Sequence, residues 1–440
     1  MKKQFWKNVL PAMLAFAFSG IYVIVDGFFV GRSVGDLGLA AINIAYPITA
    51  LIQAIGTGIG MGGAISLAIA KGRGRPLEAK ACLGGALALM AAACLAFTFL
   101  LTQASPALLR AFGAQGELYA LAQEYIRVIC LGASMQILST GLTPIVRNCG
   151  GALTAMLSMI GGFIANIYLD YLFVFALGRG IAGAALATVI GQGVTLVPLA
   201  VYLIKKGGCS FSLKRLPKDA GRILLVGLSP FGLTLSPNIV LMLMNQSALT
   251  QGGERAVSTY AVISYVVCIV QLLLQGVGDG CQPLISRYFG EKDRQAVRTL
   301  RRMSSLFALS VSLVCLIAVY FARESAAVFF GASQEVAAAV SDGMRYFLPG
   351  FLFAAVLRAD TSYLYATLRN KEAYLLIYGE PLMLLCLLSI LPAAWGLSGV
   401  WASVPITQAL LAAAGTWLSA REGFRFLSPK SRRKGESPEK

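Results

Sequence analysis

The sequence predicts an all-α integral membrane protein, with twelve transmembrane helices in two homologous six-helix bundles (a parallel repeat) around a central cleft. Three observations predict it. Of 440 residues, 57% are hydrophobic and only 13% are charged, and the mean hydropathy is +0.72; an average soluble domain carries about 25% charged residues. Cutting the chain at its charges and Gly/Pro breaks leaves twelve apolar stretches, each long enough for the roughly 20 residues a bilayer crossing needs. The last six stretches repeat features of the first six.

The stretches run 9–31, 40–70, 82–105, 119–146, 151–177, 180–204, 223–250, 256–287, 303–322, 338–366, 373–393 and 396–420. The first follows Lys2, Lys3 and Lys7 as a signal peptide would. It lacks a small-x-small cleavage site and stays apolar to Val30, so it reads as a retained helix. Pro381–Ala420 is free of charge over 40 residues, so it holds the end of one span and all of the next. Prolines 11, 47, 230, 283 and 381 fall inside spans and predict kinks.

The net charge of +17 would suggest nucleic acid in a soluble protein. Its distribution argues otherwise. With both termini inside, the inner segments hold 29 of the 37 Lys and Arg residues. The outer segments hold seven, and Arg358 lies within a span. This is the bias expected of cytoplasmic loops. The predicted location is therefore the cell (inner) membrane, multi-pass, with cytoplasmic N- and C-termini. The basic loops meet anionic lipid, and nucleic acid is not an expected partner.

The repeat has a nearly constant offset. Gly58-Ile-Gly-Met-Gly62 matches Gly276-Val-Gly-Asp-Gly280 at 218, and Gly35-Asp36 matches Gly253-Glu254 at the same distance. Arg147-Asn148 pairs with Arg369-Asn370, and Gly180-Ile-Ala-Gly183 with Gly396-Leu-Ser-Gly399, at 222 and 216. Six spans per half give both halves the same orientation, which suits alternating access at a site between them. The domain reading is a lobe over 1–208, a cytoplasmic linker over 209–222, a second lobe over 223–420 and a basic tail over 421–440.

Chemistry is bounded by composition. With no histidine, Ser-His-Asp and Cys-His catalysis and histidine zinc sites are excluded, so proton chemistry must run on carboxylates. Nine scattered cysteines without a CxxC pair read as buried apolar residues. A charge at membrane depth costs about 2.5–3.5 kcal/mol on insertion scales, which makes each one a functional candidate. Asp26, Asp170, Asp279, Arg358, Asp360 and Glu380 qualify. Asn166 and Asp170, four apart, share a helix face, and Thr188 follows on the next span. Two carboxylates, an amide and a hydroxyl supply hard oxygen ligands for a small cation, and paired carboxylates make one titratable near neutral pH. The competing reading is capping at the interface for the carboxylates and a backbone bond for Thr188.

Three segments carry a family resemblance. Val25-Asp-Gly-Phe-Phe-Val-Gly31, followed by Leu39-Ala-Ala41, resembles the first helix of the multidrug and toxic compound extrusion (MATE) family. Asn166-Ile-Tyr-Leu-Asp170, then Gly180-Ile-Ala-Gly-Ala-Ala-Leu-Ala-Thr188, resembles that family's helix 5 to helix 6 motif. Gly276-Val-Gly-Asp-Gly-Cys-Gln-Pro-Leu-Ile-Ser286 resembles helix 8 of its bacterial DinF/MepA-like branch. The resemblance implies an efflux antiporter for lipophilic, often cationic compounds, driven by a proton or sodium ion. It implies coupling at Asp26, Asn166, Asp170 and Thr188, the positions of a Na⁺ ion if sodium is used. It implies no catalytic residue, no resident metal and no cofactor beyond the coupling H⁺ or Na⁺.

The second half does not copy that set. The offset puts Met244 opposite Asp26, and the counterpart of helix 5 has no Asp. Coupling is expected to be one-sided. Asp279, Arg358, Asp360 and Glu380 form a candidate substrate-cleft or structural charge network, with Arg358 expected to pair with Asp279 or Glu380. A structural role is the favoured reading. Tyr363, Tyr365 and Tyr378 lie near these charges. Expected partners are small-molecule substrates and membrane lipid. Nothing sets an oligomeric state, and a monomer is the expectation. The competing functions are a lipid-linked oligosaccharide flippase, which needs more intramembrane cations than Arg358 alone, and a narrow-substrate metabolite exporter. No nucleophile–base pair supports an enzyme, and no sizeable soluble domain supports a receptor.

Overall fold

A computed structural model describes residues 1–206, 216–329 and 334–425, which form helices and short turns, with no strand among them. Helix α1 covers 2–34 and α2 covers 36–72, joined at Gly35, whose φ of 74° and ψ of −165° are not helical. Helix α3 is Pro76–Ala111. Helix α4 is Gly116–Leu131 and, after a 56° bend, Ala133–Asn148. Helix α5 is Ala152–Asp170, continued by the π-helical turn Tyr171–Ala176, and α6 is Gly180–Lys206. Helices α7 (216–252) and α8 (254–290) meet at Gly253, with φ 65° and ψ −161°. Helix α9 is Arg294–Phe329 and α10 is Gln334–Ala366. Helices α11 (370–395) and α12 (397–425) meet at Gly396, with φ 55° and ψ −136°.

Each predicted stretch coincides with one of these twelve helices. The breaks within the long runs fall at glycine rather than proline. A 75-residue helix would be about 110 Å long, against a hydrocarbon core of about 30 Å, so the chain must turn back. A turn in so short a space needs positive φ, which glycine adopts without a Cβ clash. Gly35 and Gly253 are the pair at offset 218. Residues 216–222, read from sequence as linker, are the first turns of α7. Residues 207–215 and the tail from 426 lie outside the described residues.

Two packed cores follow the two bundles. One gathers Ile52, Met90, Ile126, Ile137 and Ile145 of α2–α4. The other gathers Ile263, Phe347, Leu364 and Trp401 of α8, α10 and α12, and it also takes in Phe5, Val9, Met61, Ile65 and Ile69 of α1 and α2. The bundles are therefore fused at the end of the molecule that carries Lys2, Lys71 and Arg287, termed here the basic end. Leu95, Ile204 and Phe321 are nearly four-fifths exposed, the inside-out pattern of helices solvated by lipid.

Glycine sets the fusion. A β-carbon on Gly58 would lie 3.0 Å from the Gly227 carbonyl of α7, and one on Gly62 would lie 2.2 Å from the Ile223 carbonyl. The repeat partners do the same in reverse: Gly276 and Gly280 of α8 would each place a β-carbon 2.6 Å from the α1 backbone, at Met13 and Val9. The middle glycines turn inward, Gly60 against Gly141 of α4 and Gly278 against Ser362 of α10. Gly72 and Gly290, also 218 apart, meet each other across the axis. Each Gly-x-Gly-x-Gly thus grips the opposite bundle with its outer glycines and its own bundle with the central one. Around the crossing, Arg222 pairs with Glu78 at 3.2 Å and Tyr288 lies 3.3 Å from Gln4.

Overpacking such a contact costs about 1–3 kcal/mol. Gly227→Ala, whose β-carbon would sit 2.3 Å from the Gly58 carbonyl, and Gly276→Ala are expected to lower the thermal midpoint of the purified protein. Gly161→Ala and Gly193→Ala, with nothing within 4 Å, should leave it unchanged. Equal midpoints for all four would show that the close crossing does not bear stability.

Candidate functional site

Helices α5 and α6 cross through two glycines. A β-carbon on Gly162 would lie 1.9 Å from Thr195 Oγ1, and one on Gly191 would lie 2.9 Å from Asn166 Cβ. The approach leaves a small cavity of about 10 Å³ lined by Tyr22, Asn166, Thr188 and Thr195. That is room for about one water-sized guest. Tyr22 of α1 stacks on Phe163 of α5, with centroids 5.1 Å apart and planes at 12°, and so brings α1 to the cavity.

Asn166 is 3% exposed, and neither its Nδ2 nor its Oδ1 has a hydrogen-bond partner among the described residues. Buried amides are ordinarily satisfied, so this one is costly unless it serves a guest. Asp170 is fully buried one turn further along α5. Thr188 Oγ1 donates to the Ala184 carbonyl at 3.1 Å. That bond uses the hydroxyl proton and leaves oxygen lone pairs toward the cavity. Asp26 lies one turn beyond Tyr22 on α1, and its side chain is outside the described residues. The fold therefore brings Asn166 and Thr188 to one cavity, with Asp170 on the adjoining turn. Tyr22, Gly162 and Gly191 belong to this site and escape a search for ionisable residues. The two glycines signal a close helix approach only as small residues within apolar spans, and Tyr22 carries no sequence signal of its own.

The four charges of the second half separate into three places. Asp360, 2% exposed, is held by Arg301 of α9 at 2.7 Å, and that guanidinium also lies 4.8 Å over the Tyr363 ring. This is an α9–α10 strut. Glu380 on α11 meets Ser236 Oγ of α7 at 3.5 Å. Nearby, Tyr374 and Tyr378 donate to the α7 carbonyls of Leu225 and Leu228. Asp279 on α8 accepts from Tyr365 Oη of α10 at 2.9 Å. Arg358 does not bond Asp279 or Glu380; its Nε donates to Gln271 at 3.0 Å. Its charge still reaches Asp279 through space.

Arg147 is the residue that sequence reasoning misplaced. Counting it with the inner loop left Arg358 as the only intramembrane cation. The structure buries Arg147 to 4% exposure at the end of α4, with its guanidinium 5.9 Å from the Phe16 ring. It lies within electrostatic reach of Asp279 across the bundle boundary, without a salt bridge between them. Beside it, Asn148 and Gln282 exchange amide hydrogen bonds of 2.9 and 3.4 Å, and Gln282 bonds Ser286 at 2.9 Å.

With this geometry in view, comparison with known proteins is informative. The family model MatE matches residues 11–172 and 232–371. The Multidrug export protein MepA of Staphylococcus saprophyticus is 23% identical over 414 residues, covering 92% of this chain and 90% of that protein. A Staphylococcus aureus protein of the same name is 24% identical over 413 residues, with the same coverage. Among solved structures, a MOP superfamily transporter from Pyrococcus furiosus, described as having a binding pocket of reverse polarity that suggests a different function, superposes with a TM-score of 0.91. So does an outward-facing multidrug resistance MATE family transporter. Both are 24% identical and cover 97% of each chain. These likenesses carry the fold of twelve helices in two bundles.

An unsatisfied buried amide costs roughly 1–3 kcal/mol. Asn166→Leu, of similar volume, is therefore expected to hold or raise the thermal midpoint in ion-free buffer while abolishing any ion-induced rise. A midpoint lowered by several degrees would mean that the amide is structural.

Proposed function

The chain belongs to the MatE family, and from that premise we propose that it is a cation-coupled antiporter that exports lipophilic, often cationic compounds by alternating access. The observation that carries the coupling is the water-sized cavity between α5 and α6, lined by Thr188 and by an Asn166 amide that has no hydrogen-bond partner among the described residues. It is too small for a drug and suits one ion or one ion-bound water. Asp170 adjoins it, and Asp26 follows Tyr22 on α1. A proton or sodium ion taken up there neutralises buried carboxylate charge. It drives a cycle only to the extent that it binds the two states of the transporter unequally. The site belongs to the first bundle, so coupling is proposed to be one-sided.

The basic end is proposed to face the cytoplasm, since the turns that meet there, at Gly72 and Gly290, belong to the basic runs Lys71–Lys80 and Arg287–Arg302. Both termini would then be cytoplasmic, in the cell (inner) membrane. Drug export by the MepA relatives agrees with a lipophilic substrate class here. The alternative of a lipid-linked oligosaccharide flippase gains a second buried cation in Arg147, but the Asp279 carboxylate lies within its electrostatic reach and offsets one charge. What remains falls short of a pyrophosphate's need.

Ethidium efflux from cells lacking their own pumps tests this reading, with expression matched. Wild type is expected to export the dye, and Asp26→Asn and Asp170→Asn to fall to background. A protonophore or sodium removal, whichever stops wild-type export, identifies the ion. Full efflux by both variants would sink the coupling site. No wild-type efflux over a broad dye panel would sink the drug-export reading.

A further inference from the structure

Helix α8 carries a polar stripe on one face: Gln271, Gln275, Asp279, Gln282 and Ser286, spaced four, four, three and four residues apart. Burial rises along it. Gln271 and Gln275 are half-buried, Asp279 is 5% exposed, and Gln282 and Ser286 are fully buried. The stripe therefore leads from an accessible region toward the fused basic end and stops being accessible at Asp279. Asp279 is 11 residues from the end of α8 at Gly290, about 16 Å along the axis. That places it three turns from the end of the helix, within the apolar span.

The groups around Asp279 come from both bundles. Tyr365, Gln275 and Arg358 belong to its own bundle, and Arg147 belongs to the other. Both guanidiniums lie within electrostatic reach of Asp279. The position of Arg147 is set by its neighbour: Asn148 and Gln282 form the reciprocal amide pair across the boundary, and Gln282 is one turn from Asp279. Parting the bundles at the basic end breaks that pair and withdraws Arg147 with α4. Arg358 cannot follow, because it sits on α10 and is tied to Gln271 of α8.

The charge count then decides what the site can accept. With Arg147 in place, two guanidiniums and one carboxylate leave +1. With Arg147 withdrawn, Asp279 and Arg358 leave zero. A monovalent cation in Arg147's place restores +1. Both together would make +2 in a low-dielectric interior, where uncompensated charge is strongly disfavoured.

We propose that Asp279 is a cation-binding carboxylate for the exported substrate, and that Arg147 is a tethered competitor from the opposite bundle that displaces the substrate when the basic end closes. The proposal rests on the antiport reading above and deepens it, naming monovalent organic cations as the class taken at this site. Binding and release become a one-for-one exchange of charges. A substrate held by Asp279 in the open state meets the incoming guanidinium on closure and leaves toward the opposite end. The Asn148–Gln282 pair registers the exchange so that the guanidinium arrives beside the carboxylate.

The test is tetraphenylphosphonium binding to the full-length protein in detergent, by calorimetry, alongside ethidium efflux in cells. Arg147→Met is expected to tighten binding on the order of tenfold, since a competing like charge is gone, and to slow efflux. Arg147→Lys keeps the charge and should stay near wild type in both. Asp279→Asn should lose binding of the cation and its efflux. Thermal midpoints check that each variant is folded, and Asn148→Ala serves as a second route, since it frees Arg147 without removing it and should also tighten binding. Cation binding by Asp279→Asn equal to wild type, or no tightening in either Arg147→Met or Asn148→Ala, overturns the exchange while leaving the antiport reading intact if wild type still exports dye. Absence of both binding and efflux in wild type overturns that reading and this inference with it.

Discussion

The close crossing of glycine-bearing helices at the basic end is the constraint on which the rest of the molecule depends. Lipid supplies no hydrophobic drive for helices to associate, so contact energy must come from near approach of backbones and from buried polar pairs. Gly58 and Gly62 of α2 meet α7, and Gly276 and Gly280 of α8 meet α1. The absence of four β-carbons lets two bundles share one core there, with Phe5, Val9 and Ile69 packed among residues of the second half. Larger residues would hold the bundles apart, and the amide pair of Asn148 and Gln282 would not form.

The same crossing places polar groups where they can act. It sets α4 beside α8, where Asn148 and Gln282 exchange amide hydrogen bonds and Arg147 comes within electrostatic reach of Asp279. Toward the opposite end the facing helices keep exposed side chains: Tyr46 of α2 and Tyr265 of α8 are 45% and 41% exposed. A bundle pair fused at one end by breakable hydrogen bonds and glycine contacts is a reasonable substrate for a two-state rearrangement. Among the described residues its polar contacts include Glu78–Arg222, Gln4–Tyr288 and Asn148–Gln282.

The two halves use one architecture for different chemistry. In the first, Gly162 and Gly191 draw α5 and α6 together around a water-sized cavity with Asn166 and Thr188. In the second, α7 and α11 are joined by Tyr374 and Tyr378 on backbone carbonyls and by Ser236 with Glu380. Three carboxylates set within spans of the second half are each engaged by a named side chain. Asp360 binds Arg301, Glu380 meets Ser236 and Asp279 accepts from Tyr365. The two bundles thus share one helical framework and differ in the polar side chains set on it.

Sequence alone determined the membrane class, the twelve spans and the repeat, because these depend on composition and period, which are properties of the chain in one dimension. Gly35 and Gly253 were visible as a repeated pair, though not as the places where the long helices fold back. Asn166, Asp170 and Thr188 were legible as a set because four-residue spacing is a face, and because the family motif names them. Arg147 was not legible. It stands at a helix end where hydropathy sees a loop, and only the packing of α4 against α8 buries it. Nor does spacing reveal that Arg358 turns to Gln271, that Asp360 is taken by Arg301, or that Tyr22 closes the cavity from α1. Pairing of charges depends on which helices touch and at what depth, and that is decided by glycine crossings between segments more than a hundred residues apart.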